Sequence, residues 1–304
     1  MTAAATPQIS IIVATRDRAA SLARLLPTLE AARQQAAVSS EVLVVDNGSR
    51  DGTAALLADW QGTDASRRIL PFAPPGKCRA LNAAILATAA PLIVFTDDDV
   101  ILPPDWLQAL TAFCAAHPEY DAAMGKVLID PAADAALRER IAFYRAVPHF
   151  DKGDESGDTH HLWGCNMAIR RHVFERVGGF DERLGPGTGL ANDDTELGVR
   201  IRAAGMRIAY VPAAVVYHEV DPSRLSPEYF REQQLRTARG QFAMNLHRSL
   251  PRSYLHFGGA LLTLALWSAA ANPARRHRAW GRTLMYRELL RLQHAARRKV
   301  STTA

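Results

Sequence analysis

Residues 9–14 form a short apolar run rich in β-branched side chains, bounded by Pro7 and the polar turn Thr15-Arg16-Asp17-Arg18. Such a run without alternation predicts a strand buried on both faces, as in a parallel sheet. Residues 21–37 then place Leu22, Leu25, Leu26 and Leu29 at helical spacing, and 41–45 are a second apolar run that stops at Asp46-Asn47-Gly48-Ser49. The pattern continues with a helix over 51–60, a short strand over 68–72 and a helix over 79–88 entered through Pro75-Gly76-Lys77. A strand over 92–96 follows and delivers Asp97-Asp98-Asp99 to its end. This alternation predicts an α/β fold: an open, mostly parallel sheet with helices on both faces, whose ligands gather at the carboxyl ends of the strands.

From 131 to 161 the periodicity weakens, and the charged stretch 151–158 reads as a mobile loop. Regular structure resumes over 165–169, then a helix to Val177, a Gly178-Gly179 turn and a glycine-rich run over 184–190. Residues 192–204 read as a helix with Gly205 just past its end, and 207–217 as a strand ending at His218. Beyond Asp221 the composition turns to Arg, Leu and Ala helices. The expected division is a sheet domain over 1–221 and a helical tail over 222–304.

With 304 residues, 48% hydrophobic and 22% charged, the chain has enough apolar surface for a large core, and disorder is not its default. Cys78, Cys114 and Cys165 are odd in number and lack paired ligand spacing, which points to structural thiols in a reducing compartment. Residues 1–8 carry neither a basic start nor an apolar stretch, so a signal peptide is not expected and residence in the cytoplasm is. The net charge of +5 divides unevenly. Residues 222–304 hold fifteen Arg and Lys against three Glu, a balance of +12, which leaves −7 on the rest. A basic tail on an acidic body suggests a polyanionic partner, a membrane surface or nucleic acid, with a solvated helical face as the plainer alternative.

Within that tail, twenty-two residues between Arg252 and Arg275 carry no formal charge and include Leu255, Phe257, Leu261, Leu262, Leu264, Leu266 and Trp267. As a helix they would span ~30 Å, the threshold for a bilayer. Arg248 and Arg252 precede them, however, and Arg275, Arg276, Arg278 and Arg282 follow. Positive flanks at both ends disfavour a single crossing. The expectation is a helix lying in the interface of an anionic inner-membrane surface, on a cytoplasmic, peripheral protein, with a buried core helix as the alternative and no nucleic acid as partner.

Three successive carboxylates after an apolar strand repel one another unless a cation lies between them. Mg²⁺ or Mn²⁺ suits: each takes hard carboxylate oxygens, keeps positions for phosphate oxygens and stabilises a departing diphosphate as a Lewis acid. A solvated turn before the helix that begins near Pro103-Pro104-Asp105-Trp106 is the competing reading.

The surrounding motifs, in order ISIIVATRDR, EVLVVDNGSRDGT, GKCRALNAAI, VFTDDDV, GCNMAIRRHVFERVGGFDERLG and NDDTELGVRIRAAG, give a chain that resembles the inverting family 2 glycosyltransferases of the GT-A fold over residues 8–220. Each motif is loose; six in order are specific. The resemblance implies a nucleotide-sugar donor, a divalent cation on the acidic motif, and one displacement with inversion on a glycan or lipid-linked acceptor, in bacterial cell-envelope polysaccharide or glycolipid synthesis. It places Asp97 and Asp99 on the family's DxD motif, with Asp99 the stronger metal ligand and Asp98 in support. Thr15 and Asp17 fall in the first nucleotide-binding turn and Asp46 and Asn47 in the second, where Asn47 replaces a frequent Asp and leaves the identity of the base open. Lys77 is placed to meet phosphate or ribose, a surface lysine being the alternative. Asn82 sits in an otherwise apolar stretch and needs a partner, which makes it a donor-site candidate.

Asp193 and Asp194 match the family's acidic pair at a helix start, with Asp194 in the position of the catalytic base and helix capping as the rival role. His218 falls where some relatives supply a third metal ligand. Trp163 and Gly164 precede the segment beneath the acceptor, where an aromatic face can stack on a sugar or pack in the core. Arg170 and Arg171 either touch an anionic acceptor or are solvated. Two other classes remain in view. A nucleotidyltransferase of similar fold would want a glycine-rich basic loop after the first strand, and ATRDR has no glycine. A non-catalytic nucleotide-sugar-binding relative would be expected to lose the metal carboxylates or the base, and both are present.

Overall fold

A computed structural model gives the structure of residues 6–244, 249–270 and 272–302; Arg248 and the first five residues lie outside this description. β1 (Ile9–Thr15), α1 (Ala19–Ala36), β2 (Ser40–Asp46), α2 (Thr53–Gln61), β3 (Arg67–Pro71), α3 (Lys77–Ala87) and β4 (Leu92–Thr96) follow in turn. The strands lie side by side in the order β3-β2-β1-β4, all parallel. Because alternate strand residues face opposite ways, each apolar run supplies two layers. Ile11, Val13, Val42 and Val44 pack with Leu22, Leu25 and Leu29 of α1, while Ile12, Leu43, Val45 and Phe95 pack with Leu81 and Ala84 of α3. Pro27 interrupts the hydrogen bonding inside α1, at a cost of about 3 kcal/mol. Each fully buried leucine contributes roughly 1.5–3 kcal/mol, so the leucine face of α1 outweighs the proline.

Continuing, β5 (Val100–Ile101), α4 (Trp106–Ala116), β6 (Ala122–Ile129), α5 (Ala135–Tyr144), β7 (Gly157–Asp158), β8 (Asn166–Arg170), α6 (Arg171–Val177), α7 (Asp193–Ala203) and β9 (Ile208–His218) complete the sheet region. β8 runs antiparallel between β4 and β6, β9 is parallel to β6, and β5 and β7 pair antiparallel with β9. The sheet is open and mostly parallel with helices around it, as the periodicity predicts; the reversals come from the later strands. Two elements escape the sequence pattern. β6, with its Ala-Ala start and Gly125, has few β-branched residues, and α5 buries only Ile141 fully, so neither shows a strong period. The stretch expected to be a mobile loop is tied down: Lys126 Nζ donates to Asp154 at 2.8 Å, Arg207 pairs with Asp158 at 3.1 Å, and β7 lies within the stretch.

By its contacts the chain divides into two compact units. The first takes the chain up to Ala132, Pro148–Arg183 and Asp193–Glu219, and holds the sheet. The second takes Ala133–Val147, Leu184–Asn192 and the chain from Val220, so two segments interrupting the sheet region join the C-terminal helices α8 (Pro227–Ala243), α9 (Leu250–Ala269) and α10 (Pro273–Thr302). Inside this unit the ring of Phe143 stacks on His277 and that of Phe230 packs tilted against it, at 4.2 and 4.0 Å between centroids. Among the described residues no helix is long and apolar enough to cross a membrane.

One buried side chain ties the later strands of the sheet together. Asn166, fully buried at the start of β8, donates through Nδ2 to the carbonyls of Lys126 (2.9 Å) and Ala214 (2.8 Å), and its Oδ1 accepts from Trp106 Nε1 (2.8 Å). It bridges the place where the β6–β9 register shifts between Gly125 and Lys126. Gly125 leaves room for it, since a Cβ there would lie 2.3 Å from Asn166 Nδ2. Asn166→Ala leaves an indole N–H and two carbonyls without this partner, and each buried unsatisfied group costs roughly 1–3 kcal/mol. The expected loss in unfolding free energy is about 3 kcal/mol or more, read from urea midpoints; a loss below about 1 kcal/mol would show that the knot is dispensable.

Candidate active site

The turns that follow β1, β2 and β4 are laced to one another. The Asn47 N–H donates to the carbonyl of Thr15 at 2.8 Å, and Thr15 Oγ1 donates to Asp98 Oδ2 at 2.7 Å. Asp17 Oδ1 accepts from the Arg50 N–H, the Asp17 N–H donates to Ser49 Oγ, and Asp46 Oδ1 accepts from the Ser49 N–H. Asp17 takes a left-handed φ of 53° to make this turn. The structure therefore brings Thr15, Asp17, Asp46 and the acidic triplet to one end of the sheet. Burial, and next the charge on Asp99, push Asp98 up to about 6; Asp98 supports its neighbours through Thr15.

Asp99 and His218 meet because β5 pairs antiparallel with β9, setting Val100 opposite His218. The Glu219 N–H donates to the Asp99 carbonyl at 2.9 Å. His218 is only 2% exposed. Its Nδ1 lies 2.8 Å from the Glu219 carbonyl, which can only accept, so Nδ1 carries the proton. Its Nε2 lies 3.4 Å from Asp99 Oδ1. A ring nitrogen facing a carboxylate at that distance calls for positive charge between them, a proton or a metal ion. Ligand atoms of Asp97, Asp99 and His218 all lie within 4.8 Å of one another, and this donor set of two carboxylates and an imidazole fits a divalent cation.

A contact that the sequence gives no sign of holds the histidine. Arg24 of α1 forms a two-pronged ion pair with Glu219, its Nη2 donating at 2.6 Å, across 195 residues. Through Glu219 it fixes the carbonyl that orients His218 and the N–H that holds Asp99.

Lys77, the first residue of α3, reaches across to ion-pair with Asp97 Oδ1. Burial works against its charge, but Asp97 and then Asp193 outweigh it, so the ammonium stays protonated. Asp193 Oδ2 also accepts from Cys78 Sγ at 3.7 Å. Asp194, at the second position of α7, accepts from the Gly164 N–H at 3.2 Å through Oδ2 and from the Thr195 N–H at 2.6 Å through Oδ1. The protein surrounds this carboxylate although part of its surface stays open. Burial first, and then the charge on Asp193, push Asp194 up to about 7.

Several expected ligand contacts are already occupied inside the chain. Asn47 Nδ2 donates to the carbonyls of Phe72 and Pro74, and its Oδ1 accepts from the Gly76 N–H, so this amide shapes the loop leading to Lys77 and is not open toward a base. Asn82 holds the backbone of Phe180 through both ends of its amide and also reaches Glu182, a structural partner in place of a donor sugar. Trp163 packs against both hydrophobic layers and Phe150. Gly164 meets the candidate base through its N–H. Arg170 binds the carbonyls of Tyr120 and Cys114, and Arg171 those of Ala90 and Thr88, so both tie loops together. The three cysteines are free and buried. Asn192 donates to the Thr237 carbonyl at 3.1 Å.

This sheet and acidic site are those of a glycosyltransferase family. The profile of the family described as glycosyltransferase like family 2 matches residues 7–243, and the chain belongs to that family. It is 31% identical over 235 residues to the O-antigen biosynthesis protein RfbC of Myxococcus xanthus, covering 72% of this chain and 18% of that protein. It is 30% identical over 231 residues to validoxylamine A glucosyltransferase of Streptomyces hygroscopicus subsp. jinggangensis, covering 66% of this chain and 52% of the relative. The chain thus spans between about a fifth and about half of these two relatives' lengths. Among solved structures it is similar to the mannosyltransferase PcManGT from Pyrobaculum calidifontis in complex with GDP-Man and Mn²⁺, with a TM-score of 0.61 and 22% identity, covering 95% of this chain and 87% of that one. TarS of S. aureus gives a TM-score of 0.55 at 19% identity, covering 76% and 39% respectively. At these identities the likeness is one of fold.

The Arg24 contact carries a measurable consequence. Arg24→Ala is expected to weaken Mn²⁺ binding roughly tenfold, because partners behind a ligand typically matter by 10–100-fold. Asp99→Asn should weaken it further. Calorimetric titration with MnCl₂ measures both, and wild-type affinity in Arg24→Ala would show that the ion pair does not position His218.

Proposed function

We propose that this chain is an inverting glycosyltransferase that moves a sugar from a nucleotide diphosphate donor to a hydroxyl of a glycan or lipid-linked acceptor, in bacterial cell-envelope polysaccharide or glycolipid synthesis. The observation that carries the reading is the pairing of the Asp97, Asp99 and His218 cluster with a second, enclosed carboxylate, Asp194, held by the Gly164 and Thr195 N–H groups beside Asp193. The named activities of the family relatives support the reaction class, and the O-antigen relative supports the envelope setting.

In this reading Asp97, Asp99 and His218 hold Mn²⁺ or Mg²⁺, with the imidazole favouring Mn²⁺. The cation, when bound, supplies Lewis-acid stabilisation to the departing diphosphate. Thr15, Asp17 and Asp46 line the nucleotide end, while Lys77 meets the diphosphate. Asp194 accepts the proton of the acceptor hydroxyl. Gly164 and Thr195 hold its oxygens in place through their N–H groups, and Asp193 holds up its basicity by repulsion. Trp163 and Gly164 form the floor of the acceptor side.

The test is release of nucleotide from a panel of UDP-, GDP- and dTDP-sugars with MnCl₂ and with EDTA. Metal-dependent turnover of at least one donor is expected, and binding or turnover that is equal in EDTA would sink the metal assignment. Asp194→Asn should lower transfer by about 10²-fold or more while donor and metal affinity stay nearly intact. A base works only when deprotonated, so transfer by the wild type should rise with pH through about 7 and level off above it. A profile flat from pH 5.5 to 8.5 would remove Asp194 from that role.

The sheet unit and helical unit also suggest where the protein works. On α9, Leu255, Leu262 and Leu266 share one face by helical spacing and are 73%, 63% and 60% exposed, while Ser253 and Ala260 face inward. Exposed Arg252, Arg275, Arg276 and Arg278 flank that face. Apolar side chains bordered by arginines fit the interface of an anionic bilayer, the inner face of the cytoplasmic membrane for a protein resident in the cytoplasm. The sheet unit then carries the chemistry and the helical unit, which takes 133–147 and 184–192 as well as the chain from 220, the anchoring, in place of the simple division at 221 that composition suggests. Replacing Leu255, Leu262 and Leu266 together by Gln should abolish flotation with phosphatidylglycerol-containing vesicles and leave nucleotide binding unchanged. Undiminished flotation would rule this face out.

A further inference from the structure

Lys77 stands where a cation would otherwise be needed. Its ammonium pairs with Asp97 Oδ1, so it engages a carboxylate of the same cluster whose atoms, with those of Asp99 and His218, lie within reach of one ion. Its side chain is 20% exposed and that of Asp97 21%, so solvent screens the pair only partly. Asp193 lies close enough to act on the same ammonium. The placement is built: Gly76 takes a φ of 124° before α3, its N–H donates to Asn47 Oδ1, and Asn47 also holds the carbonyls of Phe72 and Pro74. The loop that carries Lys77 is thus fastened to the turn after β2.

We propose that Lys77 is a resident counter-cation that couples metal and diphosphate binding: it holds Asp97 while the metal site is empty, competes with the metal for that carboxylate, and turns to the diphosphate once displaced. The inference rests on the reading of Asp97, Asp99 and His218 as a metal site. Crowded carboxylates repel unless a positive charge lies among them, and Lys77 supplies that charge before the metal arrives. A metal at Asp97 meets an ammonium that must leave, so Lys77 opposes metal binding in the absence of nucleotide. A diphosphate near α3 offers the ammonium a second anionic partner and draws it away from Asp97. By linkage, each ligand then raises the affinity for the other by the same factor. A lysine that served only as a phosphate ligand would leave nucleotide-free metal affinity unaltered, and a purely structural one would lower it when removed.

The test uses the full chain, with Mn²⁺ alone and UDP, GDP and dTDP as probes, read by calorimetry and by the electron paramagnetic resonance signal of free Mn²⁺. Lys77→Gln is expected to bind Mn²⁺ without nucleotide roughly three- to tenfold more tightly than the wild type. At saturating Mn²⁺ it should bind its nucleoside diphosphate roughly tenfold more weakly. Lys77→Arg, which keeps the charge, should restore nucleotide affinity and the weaker Mn²⁺ binding. Equal or weaker Mn²⁺ binding in Lys77→Gln, with thermal unfolding like that of the wild type, overturns the proposal. If Lys77→Gln does not fold, Lys77→Met provides the same comparison under the same criterion. Asp99→Asn separates the two levels: Mn²⁺ affinity unchanged by that substitution overturns the metal site itself and the inference with it, whereas loss of binding there with no gain in Lys77→Gln overturns only the counter-cation role.

Discussion

Five carboxylates, those of Asp97, Asp98, Asp99, Asp193 and Asp194, converge at the carboxyl end of the parallel strands, and their mutual repulsion is the constraint that the rest of the site answers. Asp98 is raised by Asp99 and Asp97, Asp194 by Asp193, and Asp193 by Asp97. A sheet end so charged is stable only with compensation, and the structure supplies several kinds. Thr15 donates to Asp98, backbone N–H groups donate to Asp194, and Lys77 pairs with Asp97. His218 presents a ring nitrogen to Asp99. What these contacts leave unbalanced is what a divalent cation would neutralise.

The first half of the sheet was legible because its strands are apolar without interruption. β1, β2 and β4 are buried on both faces, so each reads as a continuous run, and the polar residues that end each run mark the end of the strand and the start of the site. The acidic triplet stands out for a related reason, as three carboxylates at the end of an apolar strand, whereas the 193–194 pair and His218 are singled out by the resemblance to the family. β6 and α5 were not legible. An eight-residue strand containing Gly125 and Lys126, and a helix with one fully buried residue, carry too little periodic signal to be distinguished from loop.

Polar residues at strand ends also have more than one way to be satisfied, and sequence does not choose among them. Asn82, which the pattern says needs a partner, and Asn47, expected beside a base, both find partners in the backbone of loops 98 and 25 residues away. The same holds for Asn166, Arg170 and Arg171, whose partners lie on other strands and turns. Arg24 is the strongest case. It is an exposed arginine on α1, and only the return of β9 beside β5 gives it Glu219. Contacts of this kind depend on the folded topology, so they become visible only with it.

The arrangement of compensation also separates two roles that would otherwise conflict. Metal-binding carboxylates must be ionised, whereas a base is effective when its proton affinity lies near the working pH. In the proposed reading both kinds sit in one acidic cluster. Lys77 pairs with Asp97 and faces Asp193, so its positive charge acts most on the metal side and on the intermediate residue, and less on Asp194. Asp194 is left with burial and the repulsion of Asp193 as its leading influences, and these hold its pKa near neutrality. A lysine placed one turn further along α3 would lose the reach to Asp97 that the first position gives. The start of α3, fixed by Gly76 and Asn47, therefore sets which carboxylates the ammonium faces.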